Sequence, residues 1–174
     1  MLLGEKVRLW TLEREDLLKF YIWVNDPNVV YMAGLHPLPK SFQEVQMWYD
    51  SIMRSPNQRI FAIKTQENEH IGSIELVDID LRCRKCEMGI FIGDPDYLDK
   101  GYGYDAVKVM LNFAFKQLNM NRVAVRVIDY NTKAMEFFKG LGFKSEGVMC
   151  QDYFANGAYY NVHIFGLLAK GWKG

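Results

Sequence analysis

At 174 residues, with 49% apolar and 24% charged side chains, the chain has the length and mixture of one globular domain, which excludes disordered and fibrous classes. Twenty-one basic residues balance twenty-one acidic ones, so no long-range field gathers nucleic acid or an anionic membrane, and neither is expected as a partner. MLLGEKVRLW lacks the basic region and cleavage site of a secretory signal, and no apolar run approaches the roughly eighteen residues of a spanning helix. A cytoplasmic protein of one domain, residues 1–174, is predicted.

KVRLW alternates as a short strand, and Thr11 is placed to cap a helix through about Val24, which Asn25-Asp26-Pro27 ends. A short irregular or helical piece follows, broken at His36-Pro37-Leu38-Pro39. Ser41 and Glu44 then form an S-x-x-E capping box ahead of Val45, Trp48, Tyr49 and Ile52, a helix to about Arg54. RIFAIK, HIGSIELVDID and CEMGIFIG read as three strands of an antiparallel meander. From Gly103 to Leu118 the apolar residues repeat with helical rhythm, and RVAVRVID alternates as a strand. A helix from near Asn131 to Leu141 has Gly142 in position for a left-handed cap. Two long strands, Lys144 to Phe154 and Ala158 to Leu168, close the chain across Asn156-Gly157. This order predicts an α/β (α+β) layer on a mixed, mostly antiparallel sheet.

Three cysteines are an odd number in a chain too large to need disulfide staples, which fits a reducing compartment. Cys83 and Cys86 have C-x-x-C spacing, but His36, His70 and His163 are scattered singly. The four ligands of a structural zinc are lacking, and no metal is expected.

The informative segment is MGIFIGDPDYLDKGYGYDAVKVML, where a strand runs through a short polar connection into Lys100-Gly101-Tyr102-Gly103 and directly into a helix. Amides at a helix start have no partner inside the helix, and glycines let the backbone approach a ligand closely, so the junction suits a pyrophosphate. Lys100 adds a cation. Glycines also open helices for steric reasons alone, so G-x-G by itself leaves both readings open. A dinucleotide fingerprint finds Ala106 at its third glycine and sits in the wrong chain order.

LDKGYGYDA resembles motif A of the GNAT superfamily of acyl-CoA N-acyltransferases, whose pattern is Gln or Arg, two residues, Gly, one residue, then Gly or Ala. NTKAMEFFKGLGF is similar to motif B, and FKSEGVMCQDYFANGAYYNVHIFGLLAKGW resembles the closing hairpin of the branch holding ribosomal-protein N-terminal and spermidine acetyltransferases. The resemblance covers essentially the whole chain. It implies helices on both faces of a sheet in which two parallel strands, EMGIFIG and VAVRVID, splay apart to admit acetyl-CoA as co-substrate. The implied cofactor contacts are the Asp99-Lys100-Gly101-Tyr102-Gly103-Tyr104 amides for the pyrophosphate, and Ile90, Phe91 and Ile92 along the pantetheine. Asn131 would lie near the pantetheine arm.

The implied reaction moves an acetyl group directly, in a ternary complex, to a primary amine, either a small molecule or a protein N-terminus. Glu87 is the first candidate for base or water-holder, with Glu75 and Tyr130 behind it; Tyr97, Tyr153 and His36 are open as contacts. Asp105 reads as an acid stabilising a helix N-terminus. Two positions depart from the family pattern. Leu98 replaces the usual Gln or Arg, and Phe138 replaces a tyrosine that protonates the departing thiolate. The second departure leaves a non-catalytic CoA-binding module as the alternative. GLHPLPKS, in the acceptor-side region, has no acidic residue of the kind that holds a polyamine. The tyrosine- and phenylalanine-rich closing strands offer a surface for a homodimer.

Overall fold

The computed structural model describes residues Met1–Gly174. Eight strands form one sheet: β1 (Leu2–Leu3), β2 (Val7–Thr11), β3 (Arg59–Thr65), β4 (His70–Asp80), β5 (Lys85–Ile92), β6 (Arg122–Ile128), β7 (Lys144–Ala155) and β8 (Ala158–Leu168). Their order is β1-β2-β3-β4-β5-β6-β8-β7, and every pair is antiparallel except β5 with β6.

Five helices cover the sheet: α1 (Leu17–Trp23), α2 (Pro27–Ala33), α3 (Phe42–Arg54), α4 (Tyr102–Asn112) and α5 (Thr132–Gly140). The alternation along β3 sorts them into two layers, because successive side chains of a strand point to opposite faces. Ile60 and Ala62 join a core with Phe20 of α1 and Val45, Tyr49 and Ile52 of α3. Ile63 joins a larger core with Val107, Met110 and Leu111 of α4 and Phe138 of α5.

Local chemistry sets the helix ends. Asp26 caps α2 by accepting from the amides of Asn28 and Val29, with Pro27 in the first turn, and Gly34 ends it at φ 64°. Ser41 and Glu44 make the expected reciprocal capping box of α3.

Two expectations are corrected. Thr11 caps no helix; it is the last residue of β2, paired with Phe61. Leu12 and Leu17 are both buried, so the chain first makes a tight turn, Arg14–Asp16, closed by Glu13 and Asp16 in a capping box, and α1 starts only afterwards. The helix expected from Gly103 to Leu118 begins one residue earlier and stops at Asn112, where Phe113–Gln117 continue as a π-helical turn. Widening the last turn shifts the apolar periodicity while keeping Ala114 in the core.

Candidate active site

β5 and β6 pair at only three positions, Lys85 with Arg122, Cys86 with Val123 and Glu87 with Ala124. Beyond them β5 stays bound to β4 as far as Ile92, and β6 stays bound to β8 as far as Ile128. The facing edges therefore diverge with their backbone groups unpaired by each other, and a cleft of about 420 Å³ opens between them.

One end of the cleft is the start of α4. Asp99 and Gly101 take left-handed backbone at φ 58° and 86°, which turns the chain sharply into the helix. The amide of Asp105 makes the first helical bond, to the Gly101 carbonyl at 3.1 Å, so the amides of residues 101–104 have no partner within the helix. A Cβ at Gly103 would meet only Ile92, at 3.8 Å. Free amides, a helix N-terminus and an unpaired strand edge together fit the pyrophosphate and the amide-bearing arm of coenzyme A.

The loop is braced from behind. The Asp105 carboxylate, buried in the first turn of α4, accepts from the amides of Lys6 at 2.7 Å and Val7 at 3.0 Å. Lys6 Nζ in turn donates to the Lys100 carbonyl at 2.8 Å. Asp105 thus ties α4 to β2 as well as sitting at a helix start, a contact across 98 residues that spacing alone does not reveal.

Of the residues singled out from the sequence, Ile90, Phe91, Ile92, Leu98, Asp99, Gly101, Gly103, Tyr104, Asn131 and Phe138 line this cleft, as does Tyr97. Lys100 and Tyr102 do not. Tyr102 packs edge-on against Tyr97, with the Lys6 ammonium over its ring. The Asn131 side chain is the cap of α5, accepting from the Ala134 amide and donating to the Met32 carbonyl.

Glu87 and Tyr130 lie outside the cleft. The Glu87 carboxylate is 3.9 Å from Arg126 Nε, level with the last parallel pair. The Tyr130 hydroxyl donates to the Tyr31 carbonyl, its ring stacks on Tyr31 at 4.1 Å, and Tyr153 and Tyr160 crowd its edges. Burial, then the neighbouring Tyr153, raises its pKa above the usual tyrosine range. The Tyr153 hydroxyl donates to the Leu35 carbonyl.

A second pocket, of about 260 Å³, opens on the α1 and α3 side and shares Ala33, Gly89, Ile90 and Phe91 with the cleft. Its wall holds Glu75, which pairs with Gly89 in the β4–β5 ladder and accepts a 2.9 Å hydrogen bond from Gln58 Nε2. Burial pushes the Glu75 carboxyl above its ordinary range, opposed by the Gln58 bond. An ionised carboxylate of raised pKa is a better proton acceptor than one in water. His36 stands exposed at the rim of this pocket.

Residues 6–144 match the model of the acetyltransferase (GNAT) domain. The chain belongs to the GNAT acetyltransferase family. Spermidine N(1)-acetyltransferase of Escherichia coli K12 is 33% identical over 160 residues, covering 91% of this chain and 84% of that protein. Spermidine N-acetyltransferase from Vibrio cholerae, solved in complex with CoA and spermine, superposes with a TM-score of 0.91 at 27% identity, covering 97% of this chain and 98% of that one. A dodecameric structure of spermidine N-acetyltransferase from the same organism superposes with a TM-score of 0.82 at 28% identity, over 94% of each chain.

As a GNAT acetyltransferase, the chain is an acyl-CoA-dependent enzyme that transfers an acetyl group to a primary amine; nothing favours the non-catalytic alternative. Both departures from the family pattern lie in the cleft. Leu98 contributes an apolar, half-exposed side chain where a polar one is usual. Phe138 is buried, edge-on to Phe137 and Phe143.

Proposed function

We propose that acetyl-CoA occupies the cleft between β5 and β6, with its pyrophosphate at the amides of residues 101–104, and that a small primary amine enters through the pocket that holds Glu75. One observation carries this reading: the two cavities meet at Gly89, Ile90 and Phe91, so that an unpaired strand edge and a half-buried carboxylate approach one point from opposite sides.

Glu75 takes the proton of the attacking amine as the C–N bond forms. A β5 amide near Ile90 to Ile92 stabilises the carbonyl oxygen as it gains charge. The C–S bond then breaks. A CoA thiol ionises near pH ~8.5, so the thiolate leaves with moderate help, and Phe138 has no proton to give it. Glu87, 3.9 Å from Arg126 and outside both cavities, stands beside the last β5–β6 pair, where the strands begin to part, and does not touch the reacting atoms.

The spermidine acetyltransferases among the relatives support an amine acceptor, and the size of the pocket favours a small molecule over a peptide N-terminus. No helix is long and apolar enough to cross a membrane, and three free cysteines support a reducing, cytoplasmic setting. The dodecameric relative, together with exposed Phe154 and Tyr159 on the β7–β8 hairpin, supports self-association.

The test is thiol release from acetyl-CoA over a panel of amines, with wild type and Glu75→Gln. The reading requires amine-dependent release in wild type. It also requires a loss of at least roughly 10²-fold in kcat/KM for the variant, the lower end of what a general base contributes, with acetyl-CoA binding retained. Full activity in Glu75→Gln refutes the assignment.

A further inference from the structure

The proposed acceptor pocket has a charge pattern that does not suit a polycation. Its lining residues include one acid, Glu75, and two basic residues, Lys40 and His36. Lys40 is held at this rim by Asn25, whose side chain accepts from the Lys40 amide at 2.8 Å and donates to the Lys40 carbonyl at 3.0 Å. The Lys40 ammonium makes no ion pair within 4.0 Å. Glu44 lies close enough to feel Lys40, but its carboxylate is engaged by the Ser41 amide and hydroxyl, outside the pocket.

Apart from Gln58 and Ser73 beside Glu75, the rest of the pocket is apolar. Phe20 stacks on Trp48 with ring centres 4.6 Å apart and planes within 14°, and Phe91 meets Phe20 at 5.9 Å. Val24, Leu35, Val45 and Ile60 extend this apolar lining.

We propose that the acceptor is a monoamine on a compact apolar body of aromatic size, and that Lys40 selects against polyamines. This specificity rests on the acceptor site proposed above. Charge pairing sets the selectivity. The reacting nitrogen takes Glu75, so each further ammonium of a polyamine enters an apolar space without a carboxylate and beside a lysine, where an unpaired charge is costly. A flat apolar body instead meets the Phe20–Trp48 surface, where aromatic contact adds to burial.

The experiment measures kcat/KM by thiol release for 2-phenylethylamine, tryptamine, spermidine and spermine at pH 8, with wild type, Lys40→Glu and Trp48→Ala. In wild type the two monoamines exceed the polyamines by about tenfold or more, a ratio set by one unpaired charge near a lysine. Lys40→Glu shifts the spermidine to 2-phenylethylamine ratio about tenfold towards spermidine while KM for acetyl-CoA stays fixed, which also shows that the variant is folded. Trp48→Ala raises KM for the monoamines alone.

Polyamine preference in wild type, or a ratio that Lys40→Glu does not move, overturns the specificity and leaves the acceptor site standing. If both variants leave KM for every amine unchanged, the acceptor site itself is wrong. Four inert amines with intact acetyl-CoA binding also overturn the specificity.

Discussion

Glu75 lies directly across from Gly89 in the β4–β5 ladder, and a Cβ at position 89 would stand 3.2 Å from Glu75 Oε1. The missing side chain keeps the carboxylate open to the point where the two cavities meet. Gly89→Ala should therefore crowd Glu75 and lower kcat by roughly tenfold or more, within the range spanned by loss of a base, with little change in KM for acetyl-CoA. Steady-state kinetics against both substrates measures this; a shift confined to acetyl-CoA KM contradicts it.

The pH profile follows from the same carboxyl. Its pKa is raised by burial, and the ionised form is the one that accepts a proton, so kcat/KM rises with pH through a value above the ordinary glutamate range. Glu75→Gln should remove that limb together with most of the rate. Glu87→Gln should keep both, and an acid limb that survives Glu75→Gln but vanishes in Glu87→Gln would reverse the assignment.

The loop proposed to hold the pyrophosphate separates fold from binding. Gly101 has φ 86°, so Gly101→Ala places a side chain in left-handed backbone and should cost about 1 kcal/mol of stability. At Gly103 a Cβ meets only Ile92, at 3.8 Å, so Gly103→Val should unfold near the wild-type temperature yet raise KM for acetyl-CoA at least severalfold, because the branched side chain blocks close approach to the amides. Thermal melts beside titrations with acetyl-CoA distinguish the two effects.

Phe138 and Tyr130 divide cleanly in this geometry. Phe138 lines the cleft, so Phe138→Tyr introduces a hydroxyl there and should raise kcat by up to about 10²-fold where chemistry limits the rate, with the gain fading as pH passes the tyrosine pKa. Tyr130 donates to the Tyr31 carbonyl, and Tyr130→Phe should cost about 1 kcal/mol of stability while leaving the pH profile unchanged. A severe rate loss in Tyr130→Phe without loss of stability would return that residue to the reaction.

His70 should contribute to the loss of stability in acid. Its imidazole is buried among Asp16, Lys64 and Trp23, with Lys19 donating to its carbonyl, and burial lowers its pKa from 6.5 to about 4. The unfolded chain takes up the proton first as pH falls, so stability present above about pH 6.5 is lost progressively down to about pH 4. The shift corresponds to on the order of 3 kcal/mol. Melting temperatures from pH 8 to 4 should fall more steeply for wild type than for His70→Gln; parallel curves would count against the buried neutral histidine.

The strands of the meander, the Ser41–Glu44 cap and the glycine loop were legible because each is written in local spacing. The order of the two candidate carboxylates was not. Glu75 and Glu87 both face the α1 and α3 side, but only the register that pairs Glu75 with Gly89 shows which one a cavity reaches. The Thr11 cap failed for a related reason, since the need to bury Leu12 depends on helices packed from elsewhere in the chain. The Asp105 brace likewise joins residues almost a hundred positions apart.

The three residue pairs between β5 and β6 give the molecule a seam. Five strands lie on one side of it and three on the other, joined by strand pairing only there and otherwise by the core beneath α4 and α5 and by side chains such as Tyr130 and Asn131 bonded to α2. A thioester bound in the gap sutures the two halves, so occupancy and global unfolding become one linked equilibrium. Saturation at a hundred times the dissociation constant is worth about 2.7 kcal/mol, enough for the melting temperature to count bound molecules without any acceptor present.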